Sequence, residues 1–449
     1  MHWSVESTVH IGKMLKKTHD KPGRGSDPSP NNRGQRGLIR SVGLGAVTGA
    51  ADDDCSAIGT YASAGAQFGT SLLWTAPITF PMMCAVVYLS SKLGQVTGRG
   101  LFHVVKDHYP RWILWPALIG VLIGNTIEAA ADLGGMAAAL GLFIPLPIPL
   151  IVVAVAAGIL ALQIWGSYEL IRNVFRWLAL VLLAYIGSAV LAKPDMWEVV
   201  RGSLVPTIQF SREFLSILVA IIGTTLSAYL YTWQSNVEVE EEIAQGRTKL
   251  SQRQGASEDE LRSSRIDIVI GMVFSNVVMY FIILSTGATL HKAGQTNIET
   301  AAQAAEALRP ISGEAAGILF AVGIVAVGFL AVPIMTTGAA YDLCQVMGWR
   351  SSLHARPKEA TKFYGLVGAF TVIAVAMNFL GFNPMNALVY SGIVQGFSTP
   401  PLMLLILLMT SNKKIMGDKV NSTSLNMLGW VTVIAIFSAS AGLVATWFL

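Results

Sequence analysis

A chain of 449 residues with 53% hydrophobic and only 13% charged side chains carries too little charge to cover the surface of a soluble globule of that size. The formal net charge of +4 gives no indication of a nucleic-acid partner. Strand-type alternation is absent, which excludes a transmembrane barrel, so the sequence predicts an all-α polytopic membrane protein whose solvent is the lipid bilayer.

Residues 1–37 are polar, rich in Gly, Pro, Asn and basic side chains, and lack the apolar core of a signal peptide. They are expected to form a disordered basic cytoplasmic tail, with anionic headgroups as a possible contact. Beyond them the apolar residues gather into blocks of about 20, the length a helix needs to cross the hydrocarbon core. Eleven such blocks predict eleven transmembrane helices: 40–64, 70–94, 112–142, 147–165, 170–192, 214–237, 266–290, 313–341, 361–380, 384–410 and 424–448. Cys55, Cys84 and Cys344 form no CxxC pair, so no structural disulfide is expected. Every histidine falls in a tail or an expected loop, which leaves no histidine metal centre or relay in the membrane.

Polar residues in mid-span cost roughly 2.5–3.5 kcal/mol for an aspartate, so the exceptions carry the information. Span 1 holds Asp52, Asp53 and Asp54. Consecutive residues on a helix point about 100° apart, so the three cannot share one wall. Either some are protonated, or the helix unwinds and lines a wet cavity; Gly49, Ser56 and Gly59 favour unwinding. Asp52 alone could equally be a fixed structural partner. Span 3 carries Asn125, Glu128 and Asp132 on one face, which reads as the wall of an ion or proton path or as a hydrogen-bonded seat between helices. Span 6 contains Gly223-Thr224-Thr225-Leu226-Ser227, helix-poor and rich in hydroxyls, and ends in Glu238, Glu240, Glu241 and Glu242, expected to form a solvated end. The stretch 238–265 is expected to be a flexible loop. Tyr341-Asp342 is expected to cap the end of span 8; without a facing Gly-x-Gly-Asp partner, an intramembrane aspartyl protease is set aside, and no enzymatic activity is expected.

With the N-terminus inside and eleven alternating spans, 26 of the 31 Lys and Arg lie on the cytoplasmic side, the exceptions being Lys193, Arg201, Arg212, Lys292 and Arg309. This is the skew the positive-inside rule requires, and it puts the C-terminus outside a cell inner membrane. Interrupted spans 1 and 6 open two five-helix halves, 38–192 and 193–410, with span 11 in 411–449. An odd number of spans relates the halves, so they are inverted. Broken helices at matching places in inverted repeats point to a transporter's midplane site. The expected architecture is a LeuT-like five-plus-five repeat.

Ala64-Gly65-Ala66-Gln67-Phe68-Gly69 and Leu72-Leu73-Trp74 resemble the segment after the first broken helix of the NRAMP divalent-metal transporters. Ile221-Ile222-Gly223-Thr224-Thr225 resembles the start of that family's sixth span. The resemblance implies that Asp54-Cys55-Ser56-Ala57 falls on the family's Asp-Pro-Gly-Asn metal motif and Ser227-Ala228-Tyr229 on its Met-Pro-His motif. Asp54 keeps the ligand, Ala57 replaces the Asn, Ser227 replaces the Met, and the backbone contact falls on Thr224. Asp53 and Ser227 are then direct or water-mediated ligands, Glu128 and Asp132 line the inner path, and Tyr229 stands where a histidine is linked to proton movement. Asp-Asp-Asp-x-Ser with Gly-Thr-Thr-x-Ser-x-Tyr is similar to the NRAMP-related magnesium-transporter branch.

A thioether favours softer transition metals, whereas a roomier, oxygen-lined site suits Mg²⁺, which keeps its waters. The expectation is therefore Mg²⁺ and Mn²⁺ as substrates, no cofactor, and weak or no proton coupling. A proton-coupled Mn²⁺/Fe²⁺ symporter is the alternative. An amino-acid carrier of the same architecture is disfavoured because three aspartates repel a carboxylate. A channel or metal-sensing receptor on the same scaffold is a further rival, and the oligomeric state is left open.

Overall fold

The computed structural model describes residues 48–49, 51–165 and 180–448. The expected N-terminal tail, the start of span 1 and the first part of span 5 lie outside the described residues. Among the described residues, fourteen α-helices are eight residues or longer. They are α1 (Cys55–Phe68), α2 (Thr75–Thr97), α3 (Leu101–His108), α4 (Arg111–Leu140), α5 (Ile148–Trp165), α6 (Ala184–Leu191), α7 (Met196–Leu204) and α8 (Arg212–Thr225). There follow α9 (Ala228–Ala244), α10 (Glu258–Thr286), α11 (Ala316–Met347), α12 (Thr361–Met377), α13 (Pro384–Ser411) and α14 (Thr423–Ala445). No strand occurs among the described residues.

Among the described residues, eight helical stretches are long and apolar enough to cross a membrane. The three other expected spans correspond to shorter helices: α1 after its break, α5, and the apolar stretch Val181–Leu191. Helix starts follow local chemistry. The Ser211 hydroxyl accepts from the Phe214 N–H at the head of α8, and Ser257 with Glu260 closes a reciprocal capping box on α10. At α13, Asn383 caps and Pro384 occupies the first turn, where its missing N–H costs nothing.

Helix α4 packs between α11 and α13, α8 lies along α13, and α1 sits against α10, α13 and α8. The long helices therefore enclose α1 and the α8–α9 junction, and α14 covers the outer side of α13 and α8. Large apolar side chains face outward instead, among them Ile119 and Ile123 on α4, Val372 and Ile373 on α12, and Val431 and Ile434 on α14. An apolar belt around a polar interior suits lipid, which cannot hydrogen-bond to exposed backbone. The three cysteines are free thiols.

Four expectations are corrected. The glutamates at the end of span 6 are not a solvated tip. Glu238, Glu240 and Glu242 are buried, Glu238 accepting from Ser91 at 2.7 Å and from Ser264 at 2.9 Å. The stretch 238–265 is not a flexible loop, because α9 continues to Ala244, a helical turn spans Leu250–Arg253 and α10 starts at Glu258. Arg247 ties its two sides by pairing with Glu242 and Glu260. Tyr341 and Asp342 do not cap α11; they lie inside it, with Gly348 closing the helix in a left-handed turn. His103 and His108 likewise sit on α3 rather than in a loop.

Candidate metal site

Span 1 breaks where its aspartates lie. Ala51 and Asp52 are helical, Asp53 bends, and Asp54 is extended before α1 begins at Cys55. Asp54 is the N-cap of α1: its Oδ1 accepts the Ala57 N–H at 2.7 Å. A carboxylate is at home at the positive end of a helix. Cys55 occupies the first helical position, the place in a helix most tolerant of proline. Its thiol lies 3.4 Å from the Ile324 carbonyl on α11, so it packs as a small helix residue. Ala57 contributes its backbone N–H and no side-chain donor.

The second break faces the first. Helix α8 ends at Thr225, and Leu226 and Ser227 are non-helical before α9. Breaking a helix strands its last carbonyls. The Ser227 hydroxyl answers them, lying 2.9 Å from Gly223 O and 2.7 Å from Thr224 O. Its hydrogen is thus engaged on backbone, and what it can offer a cation is oxygen lone pairs. The Thr224 hydroxyl folds back onto Ala220 O, leaving its carbonyl as the group nearest in role to the expected backbone contact.

Tyr229 joins the two breaks. Its hydroxyl lies 2.6 Å from Ala51 O and 3.1 Å from Asp54 Oδ2 and donates its one hydrogen between them. Tyr61 adds a second tie, 2.9 Å from the Thr225 hydroxyl. These two tyrosines tie the second break, which carries Thr224 and Ser227, to the first, which carries Asp54 and Ala57, and all four of those residues and Tyr229 are fully buried.

Asp53 is not brought to them in the same way. Ser275 on α10 lies 2.5 Å from Asp52 Oδ2 and 3.2 Å from Asp53 Oδ1. The three aspartates divide between α9 and α10, as their angular spacing requires. Among the described residues no three His, Cys, Asp or Glu side chains converge as metal ligands. Asp54 instead meets the Ala57 N–H, the Tyr229 hydroxyl and Ser56.

The α4 acids meet the same helix start from the other side. The Ser56 N–H donates to Asp132 Oδ1 at 3.0 Å, and its hydroxyl donates to Glu128 Oε1 at 3.2 Å. Gln395 on α13 donates to Glu128 Oε2 at 2.5 Å. Asn125 shares the face and is buried, yet its amide finds no partner there. Sequence reasoning missed Gln395, Ser275 and Tyr61. An isolated amide such as Gln395 in an apolar span is itself a signal.

The class these features define is a polytopic α-helical membrane protein in which two broken helices meet beside a buried aspartate, Asp54. A family profile described as natural resistance-associated macrophage protein-like matches residues 45–446. The chain belongs to that family, the Nramp proteins. Among its relatives, the divalent metal cation transporter MntH of Klebsiella pneumoniae (strain 342) is 27% identical over 391 residues, covering 86% of this chain and 89% of the relative. The protein of the same name from Deinococcus radiodurans is 26% identical over 415 residues, covering 90% and 89%. The solved manganese transporter of Eremococcus coleocola, in complex with an aromatic bis-isothiourea substituted compound, superimposes with a TM-score of 0.70 at 20% identity, covering 94% of this chain and 90% of that one.

Proposed function

We propose that the protein is a divalent metal cation transporter that moves Mg²⁺ and Mn²⁺ into the cell by alternating access, driven mainly by the membrane potential. The observation that carries this reading is the Asp54 carboxylate, buried at the junction of two broken helices, with Ser227 where a thioether would select softer ions. The names of its relatives, divalent metal cation and manganese transporters, support the substrate class. In this reading Asp54 is the principal ligand, and the Ser227 hydroxyl and Thr224 carbonyl complete the site directly or through water. Asp53, bonded by Ser275, joins as a direct or water-mediated ligand, and Ala57 frames the space an amide would fill. Residues 38–192 and 193–410 are the two inverted halves, and the basic side of the molecule faces the cytoplasm of an inner membrane.

Tyr229 does not titrate near neutral pH, which supports weak coupling to protons. A doubly charged ion gains about 4.6 kcal/mol from each 100 mV, at about 2.3 kcal/mol per charge. The purified protein in liposomes is expected to take up Mg²⁺ and Mn²⁺ without acidifying the lumen; stoichiometric proton entry would sink the uncoupled reading. A second reading, proton symport, is favoured by Glu128 and Asp132 both bonding Ser56, two residues along the chain from Asp54, and the same assay decides between them.

Selectivity gives an independent check. Ser227→Met restores a thioether and removes space, so Mn²⁺ uptake relative to Mg²⁺ should rise about tenfold, the effect of roughly 1.4 kcal/mol. Ion-competition uptake with Mg²⁺, Mn²⁺, Ca²⁺ and Fe²⁺ measures it, and an unchanged ratio counts against Ser227 as part of the site.

A further inference from the structure

A polar lane leads away from the two breaks along one face of α9. Tyr229, Thr232, Asn236 and Glu240 are spaced three, four and four residues apart and so share a face. Opposite them α11 offers Gly338, Tyr341, Asp342 and Gln345. The Thr232 hydroxyl accompanies Asp342, and the Asn236 amide reaches Asp342 Oδ1 at 3.5 Å. Gln345 donates to Asn236 Oδ1 at 2.5 Å, and the Tyr341 hydroxyl donates to Glu240 Oε1 at 2.8 Å. The lane opens into a cavity of about 330 Å³ whose wall includes Asn236, Glu240, Tyr341 and Gln345.

Asp342 is the carboxylate in the middle of that lane. It is fully buried, and its second oxygen, Oδ2, has no hydrogen-bond partner. A buried carboxylate oxygen left unmatched is costly unless a proton or another cation visits it. Neither break, cap nor helix contact described above uses this side chain. Gly100 packs directly on the lane: a Cβ there would strike Asn236 Oδ1 at 2.1 Å and Gln345 Nε2 at 2.2 Å, so only glycine leaves these two side chains in place. The cationic groups at the cavity mouth are already engaged, Arg99 with Asp107 and Arg253 with the carbonyls of Gly98, Arg247 and Thr248. His103 in the wall has its pKa pulled down to about 4, by burial first and by Arg99 second, so it is neutral near pH 7 and does not repel a cation.

We infer that Asp342 is a second station for the divalent cation, a carboxylate stop between the Asp54 site and the cavity, where the partly hydrated ion pauses between Thr232 and Asn236. The inference rests on the reading of the protein as a divalent-cation carrier. A stop of this kind sets the rate of passage more than the affinity of the main site, because an ion held at Asp54 does not touch it.

The test is Mn²⁺ uptake into liposomes, with Mn²⁺ affinity of the purified protein measured in parallel by titration calorimetry. Asp342→Asn is expected to slow uptake at least tenfold while the affinity stays within twofold of the parent protein. Asp342→Glu, which keeps the carboxylate, should recover at least half the rate. Uptake at the parental rate in Asp342→Asn overturns the proposal, as does a loss of affinity matching that of an Asp54 variant, which would make Asp342 a support of the main site. If Asp342→Asn does not fold, Asn236→Leu blocks the same lane without removing a charge, and a parental rate there overturns it equally. A parent protein that is folded yet moves neither Mn²⁺ nor Mg²⁺ sinks the transport reading itself, an outcome distinct from a failure at Asp342 alone.

Discussion

Replacing Asp54 with Asn is expected to reduce Mn²⁺ and Mg²⁺ uptake at least a hundredfold while leaving the protein folded. The substitution separates two roles that Asp54→Ala confounds. Asp54 caps α1 through the Ala57 N–H, and losing a cap costs about 1 kcal/mol. Asn caps as well as Asp, so Oδ1 of the new amide can keep that bond. Its NH₂ can donate to the Tyr229 hydroxyl, which then gives its hydrogen wholly to Ala51 O, 2.6 Å away. What disappears is the negative charge at the point where both helices are broken. A hundredfold loss is about 2.7 kcal/mol, a modest demand for a charged ligand in a buried site. Asp54→Ala should abolish uptake as well and lower the melting point slightly. Uptake by Asp54→Asn within tenfold of the parent, with an unchanged elution profile, would remove Asp54 as principal ligand.

Both breaks were legible in the sequence because each violates a strong local rule. Three consecutive aspartates cannot lie in a continuous helix facing lipid, and Gly-Thr-Thr-x-Ser is a poor helix segment. The structure breaks the chain at 53–54 and 226–227. The division of labour among the aspartates was not legible, because it depends on Ser275, more than 200 positions away, and on Tyr229. The glutamates of α9 were misread for a related reason. A local window sees charges at a helix end and expects water, whereas their partners Ser91, Ser264, Tyr341 and Ser352 come from α2, α10, α11 and the turn beyond it. Asp342 was misplaced because α11 outlasts its apolar stretch by several residues, so a change of composition was taken for the end of a helix. Gln395 went unnoticed although it lies in the second glycine-bearing turn of an apolar span, where a lone amide has few reasons to be.

Gly223→Val should be the most damaging single change outside the acidic residues. Helix α8 approaches α13 backbone to backbone just before the second break. A Cβ at Gly223 would lie 2.0 Å from Gly392 O and 2.4 Å from Gly396 N. The approach is mutual, since a Cβ at Gly396 would lie 2.6 Å from a Val219 methyl. Gly392 and Gly396 form the small-residue spacing that lets membrane helices pack closely. Neither a carbonyl nor an amide can rotate out of the way as a side chain would, so α8 must move as a body. Overpacking of this kind costs about 3 kcal/mol at the upper end of its usual range, and in a chain of this length the midpoint of unfolding is expected to fall by roughly 3 °C. The displacement is passed directly to Thr224 and Ser227, which follow in the chain, so the fraction that does fold should transport at least tenfold more slowly. Gly368→Val on α12 is the control, because a Cβ there meets nothing within 4 Å, and it should leave uptake unchanged. Fluorescence-detected melting and Mn²⁺ uptake on the pair decide the matter: equal behaviour of the two variants would mean that the α8–α13 contact does not set the geometry of the break.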